Sequence, residues 1–337
     1  MWMANPSRLP IVNQADIALC IPAFNAAGFL PRLLHSARAQ SIPFAEIWVY
    51  DDASSDQTAA VAAALGARVV RGESNRGCSH GKNVLARSAA CGWLHFHDAD
   101  DELKPGFVEK ALPWMQRSPP KDVVFFAYET RSHDNNELLG HRTFDGDALA
   151  RDPLAYVLAE QINPFCGLYR REPFLRTGGW DEDPLVLQSE DQACHFRLAA
   201  AGLTFASDPS TTVINYIRQG SMTTSNLPGA NRSAYQVMCK AAQSPLLKPV
   251  HLQIVGLRAW RIAANAAAYL DWETANLAAN LALTLKAPLP PETGLLFRSI
   301  AHFSVRMALR MREFLIRTLK PGLRAAPVYR IGRAGFR

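Results

Sequence analysis

The sequence lacks the patterns that indicate a zinc site, a disulfide framework or a membrane span. It has no Cys-x-x-Cys pair and no histidine cluster at zinc spacing, although it contains six cysteines. No apolar run reaches the ~18 residues that a membrane-spanning helix needs. The N-terminus shows no basic segment followed by an apolar stretch, so no signal peptide is expected. These absences favour a reducing, cytoplasmic location.

Two common nucleotide-binding loops are also missing. The turn after the first expected strand reads Pro22-Ala-Phe-Asn-Ala-Ala-Gly28, which has no Gly-x-Gly-x-x-Gly pattern for a dinucleotide. Gly81-Lys82 is followed by Asn83 rather than Ser or Thr, which argues against a Walker phosphate loop. A nucleotidyltransferase would need a Gly-rich loop with Arg or Lys directly after the first strand, and none is present there.

Composition and charge divide the chain unevenly. Its 337 residues, 48% of them hydrophobic, can form one large domain or two smaller ones with a sizeable core. Residues 295–337 contain ten Lys or Arg and one acid, so this segment has a net charge of +9, whereas the whole chain has a net charge of +6. The remaining residues therefore carry −3, and the protein is a mildly acidic body with a strongly basic tail.

The hydrophobic pattern predicts an α/β fold. Strand-like runs lie at residues 17–21, 46–50, 67–71, 93–97 and 122–128. Helical patterns fall between the first four, and Asn25 and Asp56 are expected to cap two of these helices. This alternation predicts a mostly parallel sheet with helices on both faces, as in a Rossmann-like nucleotide-binding half. Beyond residue 231 the pattern is helical, so we predict two parts, residues 1–228 and a C-terminal helical region over residues 229–337.

Carboxylates cluster where two of these strands end. Asp51 and Asp52 follow the second strand, and Asp98 and Asp100 follow the fourth. Residues i and i+2 of an extended segment share a face, so Asp98 and Asp100 repel each other unless a cation lies between them. Hard oxygen ligands suit Mg²⁺ or Mn²⁺ shared with a substrate phosphate. The alternative interpretation is an acidic loop that caps the next helix.

Five motifs occur in an order that resembles the family 2 glycosyltransferases, the large inverting group with the GT-A fold. The resemblance covers residues 15–225. The motifs are Ile21-Pro22-Ala23-Phe24-Asn25, Asp51-Asp52-Ala53-Ser54-Ser55-Asp56-Gln57-Thr58, Asn75-Arg76-Gly77-Cys78-Ser79-His80-Gly81-Lys82-Asn83, His97-Asp98-Ala99-Asp100-Asp101, and Gly178-Gly179-Trp180-Asp181-Glu182 with Ser189-Glu190-Asp191.

The resemblance implies a nucleotide-sugar site at the strand ends. Asp52 would hold the nucleoside, and Pro22, Ala23 and Asn25 would line the same pocket. Lys82 would contact the base or the diphosphate, although this chain has Gly81-Lys82 where the family more often has Ala-Arg. The alternatives are a helix-capping turn for Asp52 and a solvated side chain for Lys82.

The Asp-x-Asp motif of the family corresponds to Asp98 and Asp100. The resemblance implies that these two carboxylates hold Mg²⁺ or Mn²⁺, and that Asp98 and Ala99 also contact the donor. Asp101 is expected instead to cap the turn before the next helix.

Asp191 is the candidate catalytic base, since it matches the acid of the family's Glu-Asp pair. Inverting transfer needs one carboxylate to take the proton of the acceptor hydroxyl. The alternative is that Glu190 and Asp191 only favour a helix N-terminus. His195 is expected to be a structural histidine, Arg197 to form an internal ion pair, and Trp180 either to stack on a sugar or to belong to the core.

The basic tail has an amphipathic pattern. Large apolar residues recur near one helix face at Leu296, Ile300, Phe303, Met307, Met311 and Phe314. Such a helix suits an anionic membrane surface, although a helix packed on the catalytic body gives the same pattern. No recognised nucleic-acid-binding motif accompanies the charge, so nucleic acid is not an expected partner.

Together these features predict an inverting glycosyltransferase that uses a nucleotide-diphosphate sugar, with UDP-sugar as the first choice. The acceptor would be a hydroxyl of a glycan or lipid-linked molecule in surface polysaccharide synthesis. Residues 217–227 are the predicted closing loop, with Gly220 as its hinge. The alternative function is a non-catalytic nucleotide-sugar-binding or scaffold subunit of a glycan-assembly complex.

Overall fold

The computed structural model describes residues 14–218, 226–291 and 293–325. Within these residues nine strands form one sheet. The strands are β1 Ala15–Ala23, β2 Phe44–Asp51, β3 Arg68–Arg71, β4 Trp93–Phe96, β5 Glu102–Leu103, β6 Val123–Ser132, β7 Leu138–Arg142, β8 Gly167–Arg170 and β9 Phe205–Ile217.

Helices connect and cover these strands. The helices before β9 are α1 Leu30–Arg38, α2 Thr58–Ala64, α3 Cys78–Ser88, α4 Phe107–Met115, α5 Gly146–Arg151, α6 Pro153–Ala159, α7 Arg171–Arg176 and α8 Glu190–Ala200. Those after β9 are α9 Leu227–Ala242, α10 Pro249–Ala268, α11 Trp272–Thr284, α12 Leu295–Phe303, α13 Val305–Leu319 and α14 Gly322–Ala325.

The first half of the sheet is parallel, as the alternating pattern predicts. Strands β3, β2, β1 and β4 are neighbours in that order, and each adjacent pair is parallel. The centre of β1 is buried on both faces, which explains its continuous apolar run, Ile17 to Ile21. The carboxyl ends of β1, β2 and β4 therefore lie along one edge of the sheet, where ligands of such folds bind.

The second half of the sheet is mixed. Strand β8 is antiparallel to both β4 and β6, whereas β6 and β9 are parallel over their whole length. Short β5 and β7 add antiparallel edges. The predicted α/β fold is confirmed, and its parallel pairing is concentrated in the half that carries the motifs.

The two expected helix caps have different outcomes. Helix α1 begins at Leu30, and Asn25 does not cap it. The backbone of Asn25 has a φ of +49°, a left-handed conformation that asparagine tolerates better than most residues. Asp56 contacts the start of α2 as expected, because its Oδ1 accepts a hydrogen bond of 2.9 Å from the backbone N–H of Thr58.

The C-terminal helices share a second hydrophobic cluster with the first part of the chain. Buried side chains of α9, α10 and α11 pack together with Leu158 and Ala193. A Cβ at Gly256 of α10 would lie 2.3 Å from the Cβ of Ala287, so a side chain there would disrupt this packing. The division at residue 228 remains a prediction, and α10 packs directly against α6.

The basic amphipathic segment forms two helices rather than one. Helix α12 ends at Phe303, and Ser304 caps α13 by accepting a hydrogen bond of 3.3 Å from the N–H of Met307. In the described part of the chain no helix is both long and apolar enough to cross a membrane.

Candidate functional site

Two loops at the ends of β1 and β2 are tied to each other. The backbone N–H of Asp52 donates to the carbonyl of Ala23 at 2.9 Å. The N–H of Asn25 donates to Ser54 Oγ at 2.9 Å, and the side-chain oxygen of Asn25 accepts from the N–H of Ser55 at 2.9 Å. The residues that the sequence predicts for the nucleotide pocket, from Pro22 to Asn25, therefore lie beside Asp52.

Asp52 is buried and holds the turn that precedes α3. Its Oδ1 accepts from the N–H of Arg76 and its Oδ2 from the N–H of Gly77, each at 2.8 Å. It does not cap α2, so the alternative of a helix-capping turn is wrong for this residue. Each carboxylate oxygen of Asp52 has a second lone pair, so it can still accept a hydrogen bond from a nucleoside N–H.

Helix α3 places Lys82 inside the protein. A Cβ at Gly81 would lie 2.6 Å from the ring of Tyr50, so glycine permits α3 to pack this close to β2. Lys82 is only 1% exposed, which excludes the solvated alternative. Its Nζ lies 3.3 Å from Glu190 Oε1 and 4.4 Å from the centre of the Trp180 ring. Burial lowers the pKa of Lys82, but the surrounding anionic groups, including Glu190, more than offset this and raise it.

The two carboxylates of the Asp-x-Asp motif follow β4. Asp98 is mostly surrounded by protein, although part of its surface stays accessible. Desolvation raises the pKa of Asp98 to about 6, and the positive charge of Lys82 opposes this shift. The negative charge of Asp100 also raises the pKa of Asp98. Asp100 Oδ2 lies 3.3 Å from Nε of Arg218.

This pair fits a divalent cation that is shared with a substrate. Among the described residues, no group of three or more His, Cys, Asp or Glu side chains is placed to hold a metal ion. Mg²⁺ and Mn²⁺ are often bound by only one or two carboxylates, with substrate phosphates and water as the other ligands. The oxygen donors of Asp98 and Asp100 therefore suit such an ion when a diphosphate is bound.

Asp101 has a different role from the expected one. Its carboxylate accepts hydrogen bonds from the side-chain amide of Asn215 at 3.0 Å and from the N–H of Tyr216 at 2.7 Å. Helix α4 starts after Gly106 without a side-chain cap. Asp101 thus joins the loop after β4 to β9 and does not cap the next helix.

Asp191 lies buried in the first turn of α8, 5% exposed. Its Oδ2 accepts a hydrogen bond of 3.1 Å from Gln161 Nε2, and its Oδ1 accepts one of 2.7 Å from the N–H of Gln192. Burial, followed by the neighbouring charge of Glu190, raises the pKa of Asp191 to about 7. A carboxylate with such a pKa suits a general base near neutral pH.

The structure joins three of the predicted residues in one electrostatic cluster. Lys82 affects the pKa of both Asp98 and Asp191, and Glu190 links them by its ion pair with Lys82. Asn25 and Asp52 lie just after β1 and β2, and Asp52 contacts the turn before α3. The predicted site residues thus fall into two groups, one around Asp52 and one that contains Asp191.

A protein-family comparison assigns the part of the chain that carries this edge. The profile described as Glycosyl transferase family 2 matches residues 18–177. Residues 18–177 belong to glycosyl transferase family 2. The resemblance expected from the motifs is therefore confirmed for this family 2 domain.

Curated relatives are similar over part of their length. The succinoglycan biosynthesis protein ExoO of Rhizobium meliloti is 26% identical over 228 residues, which cover 63% of this chain and 64% of ExoO. An uncharacterized glycosyltransferase of Haemophilus influenzae is 24% identical over 175 residues, 48% of this chain and 55% of that protein. The chain thus matches less than two thirds of either relative.

Solved structures show the same fold. TarS residues 1–349 of S. aureus, in complex with UDP-GlcNAc, superpose with a TM-score of 0.66 and 18% identity, over 90% of this chain and 91% of that one. The mannosyltransferase PcManGT of Pyrobaculum calidifontis, in complex with GDP-Man and Mn²⁺, has a TM-score of 0.58 and 18% identity, over 91% and 88%. The predicted GT-A fold with a C-terminal helical region is confirmed.

Three further side chains around the family 2 domain are structural. Trp180 is 1% exposed, so it belongs to the core and does not present its ring to a sugar. His195 is also buried, its Nε2 lies 2.8 Å from the hydroxyl of Tyr169, and burial lowers its pKa to about 3. Arg197 forms the expected internal ion pair, with its Nη2 3.4 Å from Asp181 Oδ2.

Sequence reasoning missed two contacts of the site. The sequence pattern indicates only a helix-terminal acid at Glu190, whereas in the structure Glu190 is the ion-pair partner of Lys82. Gln161, which orients Asp191, follows α6 and lies 30 residues away from it in sequence, so no local pattern signals its role. The predicted closing loop falls mainly on residues 219–225, which lie outside the described residues.

Proposed function

We propose that the protein is an inverting glycosyltransferase that moves a sugar from a nucleotide-diphosphate sugar to a hydroxyl of a glycan or lipid-linked acceptor in surface polysaccharide synthesis. The family 2 domain, the similarity to ExoO and the fold shared with two sugar-nucleotide complexes support this proposal. The observation that carries it is Asp191, a buried carboxylate with a pKa of about 7 beside Glu190 and Lys82.

In the proposed reaction Asp191 is the general base. Its carboxylate takes the proton of the acceptor hydroxyl while that oxygen bonds to C1 of the donor sugar. The bond from C1 to the diphosphate oxygen breaks, and its electron pair leaves with the nucleoside diphosphate. A single displacement inverts C1 and needs no protein nucleophile. The hydrogen bond from Gln161 fixes the orientation of the accepting carboxylate.

The donor is proposed to lie across the ends of β1, β2 and β4. Asp52 would accept a hydrogen bond from the nucleobase. Pro22, Ala23 and Asn25 would form the wall of the pocket beside Asp52, because hydrogen bonds join these two loops. UDP remains the first choice, and the GDP-Man complex of PcManGT makes GDP the next candidate.

The diphosphate is proposed to lie near Lys82, Asp98 and Ala99. Lys82 would supply the diphosphate with a positive charge from within the protein. Its Nζ forms an ion pair with Glu190, and its charge also acts on the Asp98 carboxylate. Asp98 and Asp100 would hold Mg²⁺ or Mn²⁺, which when bound offsets negative charge on the leaving diphosphate. Arg218, next to Asp100, would be a further phosphate contact.

The C-terminal helices are proposed to bind an anionic membrane surface. Leu295 and Phe303 of α12 are 84% and 85% exposed, and Phe314 of α13 is 61% exposed. The basic side chains Arg306, Arg310, Arg317 and Lys320 of the same segment are also exposed. Large apolar side chains beside Lys and Arg suit the boundary between acyl chains and anionic headgroups. We call this the α12–α13 surface.

A nucleotide titration combined with a turnover assay tests the proposal. UDP, GDP and dTDP are titrated with and without Mn²⁺ against the wild type and Asp100→Ala, followed by a test of donor turnover. We expect metal-dependent binding of one nucleotide, at least about tenfold weaker in the variant, because a metal ligand is lost. Binding without turnover for any sugar of that nucleotide would favour the scaffold function. No binding of any nucleotide would contradict both functions.

A further inference from the structure

Arg258 of α10 is a mostly buried cation for which no described residue supplies an ion pair. Its Nε is inaccessible to water and has no hydrogen-bond partner. Although part of the residue remains accessible, no described carboxylate forms an ion pair with its guanidinium. Buried arginines in proteins are normally paired, because an unpaired charge inside a protein is costly. Among the described residues, Arg258 therefore has no anionic group in direct contact with its guanidinium.

The register of α10 on α6 places Arg258 near the candidate base. At the start of α6, Asp152 Oδ2 lies 2.9 Å from Nε2 of His251 in α10. Arg258 follows His251 by seven residues, two turns or roughly 10 Å along the same helix face. The charges of Glu160, which ends α6, and of Asp191 both act on Arg258, and the residue after Glu160, Gln161, donates its hydrogen bond to Asp191.

The acids nearest to Arg258 are already engaged by other groups. Glu160 Oε2 is bound by Arg142, and the oxygens of Asp191 accept from Gln161 and from the N–H of Gln192. Burial and the neighbouring Arg261 lower the pKa of Arg258, whereas Glu160 and Asp191 only partly oppose them. The positive charge is therefore not neutralised by a direct contact within the described residues.

We propose that Arg258 binds a phosphate group of the acceptor, next to the hydroxyl that Asp191 deprotonates. This assignment rests on the proposed glycosyltransferase function. A guanidinium presents two parallel N–H donors that match two phosphate oxygens, so arginine suits this ligand better than lysine. The acceptor is thereby a phosphorylated molecule, and the C-terminal helical region contributes directly to acceptor choice.

The phosphate could belong to a soluble glycan or to a lipid carrier. Arg261, one turn beyond Arg258, lines a cavity of about 540 Å³ between α10, α12 and α13. Apolar side chains such as Phe297, Leu309 and Ile316 form much of the remaining wall. A lipid attached to the phosphate would find an apolar cavity there, whereas a phosphorylated glycan would leave it empty.

Titration with inorganic phosphate tests the site. The donor site is first saturated with the nucleoside diphosphate that binds, and phosphate is then added to the wild type, Arg258→Gln and Arg258→Lys. We expect roughly 10- to 100-fold weaker phosphate binding by Arg258→Gln, as for the loss of a charge-assisted hydrogen-bonded pair, and an intermediate affinity for Arg258→Lys. Arg87→Gln, which removes an exposed arginine of α3, is the matched control and should bind like the wild type.

The result also separates the two proposals. Nucleotide binding is measured in the same samples, so its absence from the wild type counts against the proposed function itself. If nucleotide binds but phosphate does not, or binds equally to Arg258→Gln, the assignment of Arg258 is wrong while the donor site stands. If Arg258→Gln fails to fold, as a melting curve would show, the comparison of the wild type with Arg258→Lys decides.

Vesicles distinguish the two sources of the phosphate. Sedimentation is measured with phosphatidylcholine vesicles that contain or lack a polyprenyl phosphate. A preference for the phosphorylated lipid that Arg258→Gln loses assigns the site to a lipid carrier. Phosphate binding in solution without that preference assigns it to a phosphorylated glycan. If neither ligand distinguishes Arg258→Gln from Arg87→Gln, the proposal is overturned.

Discussion

The candidate functional site at the strand ends buries polar side chains, whereas the α12–α13 surface exposes apolar ones. Around the site, Lys82, Glu190 and Asp191 are buried, and each is held by a specific partner. On the α12–α13 surface, by contrast, Phe303 and Phe314 project into solvent while Glu313 is buried between Arg312 and Arg324. Both arrangements are costly for a folded protein on its own.

This difference indicates what each region contacts. Burial in the site perturbs pKa values and fixes side-chain orientation, which is useful for chemistry on a small polar substrate. Exposed aromatic and basic side chains are not stabilised by water, but their transfer to an apolar, anionic boundary is favourable. Variants that change one region and leave the other intact can therefore test both interpretations separately.

The largest expected effect is on turnover, from Asp191→Asn. The amide keeps the shape of the carboxylate but cannot accept the proton of the acceptor hydroxyl. We expect kcat to fall by about 10² to 10⁴, the usual contribution of a general base, while nucleotide affinity and vesicle binding stay unchanged. Initial rates with saturating donor, together with a nucleotide titration, measure this.

Asp147→Asn is the matched control for Asp191→Asn. Asp147 lies in the first turn of α5 as Asp191 lies in the first turn of α8, but it is exposed. Both substitutions remove an acid from a helix N-terminus, so the control isolates that effect. If the two variants lose turnover equally, Asp191 serves only its helix and is not the base.

An intermediate effect is expected on membrane binding, from Phe303→Ser combined with Phe314→Ser. Burying one aromatic side chain contributes about 1.5–3 kcal/mol, and insertion at an interface recovers part of this. We expect the affinity for vesicles containing phosphatidylglycerol to fall roughly 10- to 100-fold, with donor binding unchanged. Vesicle sedimentation with and without the anionic lipid measures it.

Leu138→Ser with Leu185→Ser provides the control for that pair. These leucines are 54% and 53% exposed but lie outside the basic segment. Their loss should leave vesicle binding unchanged. Equal losses for both double variants would mean that the effect comes from general surface hydrophobicity, and the proposed role of the α12–α13 surface would be wrong.

The sequence predicts well which residues meet at one edge of the parallel sheet, because this depends on local order. Alternating strands and helices imply parallel neighbours, and parallel strands bring the residues after each strand to one edge. Asp52 and Asp98 could therefore be placed together from the pattern alone. Burial of Lys82 could not be predicted, since it depends on how closely Gly81 allows α3 to approach Tyr50.

The group of site residues that contains Asp191 was less accessible to sequence reasoning. Its geometry depends on helices that pack across long separations, with Gln161 at 30 residues from Asp191 and α10 placed against α6. Antiparallel β8, inserted between β4 and β6, also has no periodic signature of its own. Contacts of this kind are set by tertiary packing, which a single sequence does not encode in local patterns.

The smallest expected effect, on pH dependence, comes from Glu190→Gln. Because Asp191 must be ionised to act as a base, its pKa of about 7 predicts that kcat/KM rises with pH and levels off above about 7. The charge of Glu190 raises the pKa of Asp191 and Lys82 lowers it, so removing the Glu190 charge lowers that pKa. We expect the half-maximal point to move to lower pH by roughly one unit or less.

A pH profile of kcat/KM for the wild type and Glu190→Gln measures this displacement, with thermal melting to show that the loss of the Lys82 partner leaves the protein folded. Glu172→Gln, an exposed acid of α7, should keep the wild-type profile. An unchanged profile, or a shift of the Glu190→Gln profile to higher pH, would contradict the assignment, because loss of the Glu190 charge must lower the pKa of an adjacent carboxylate.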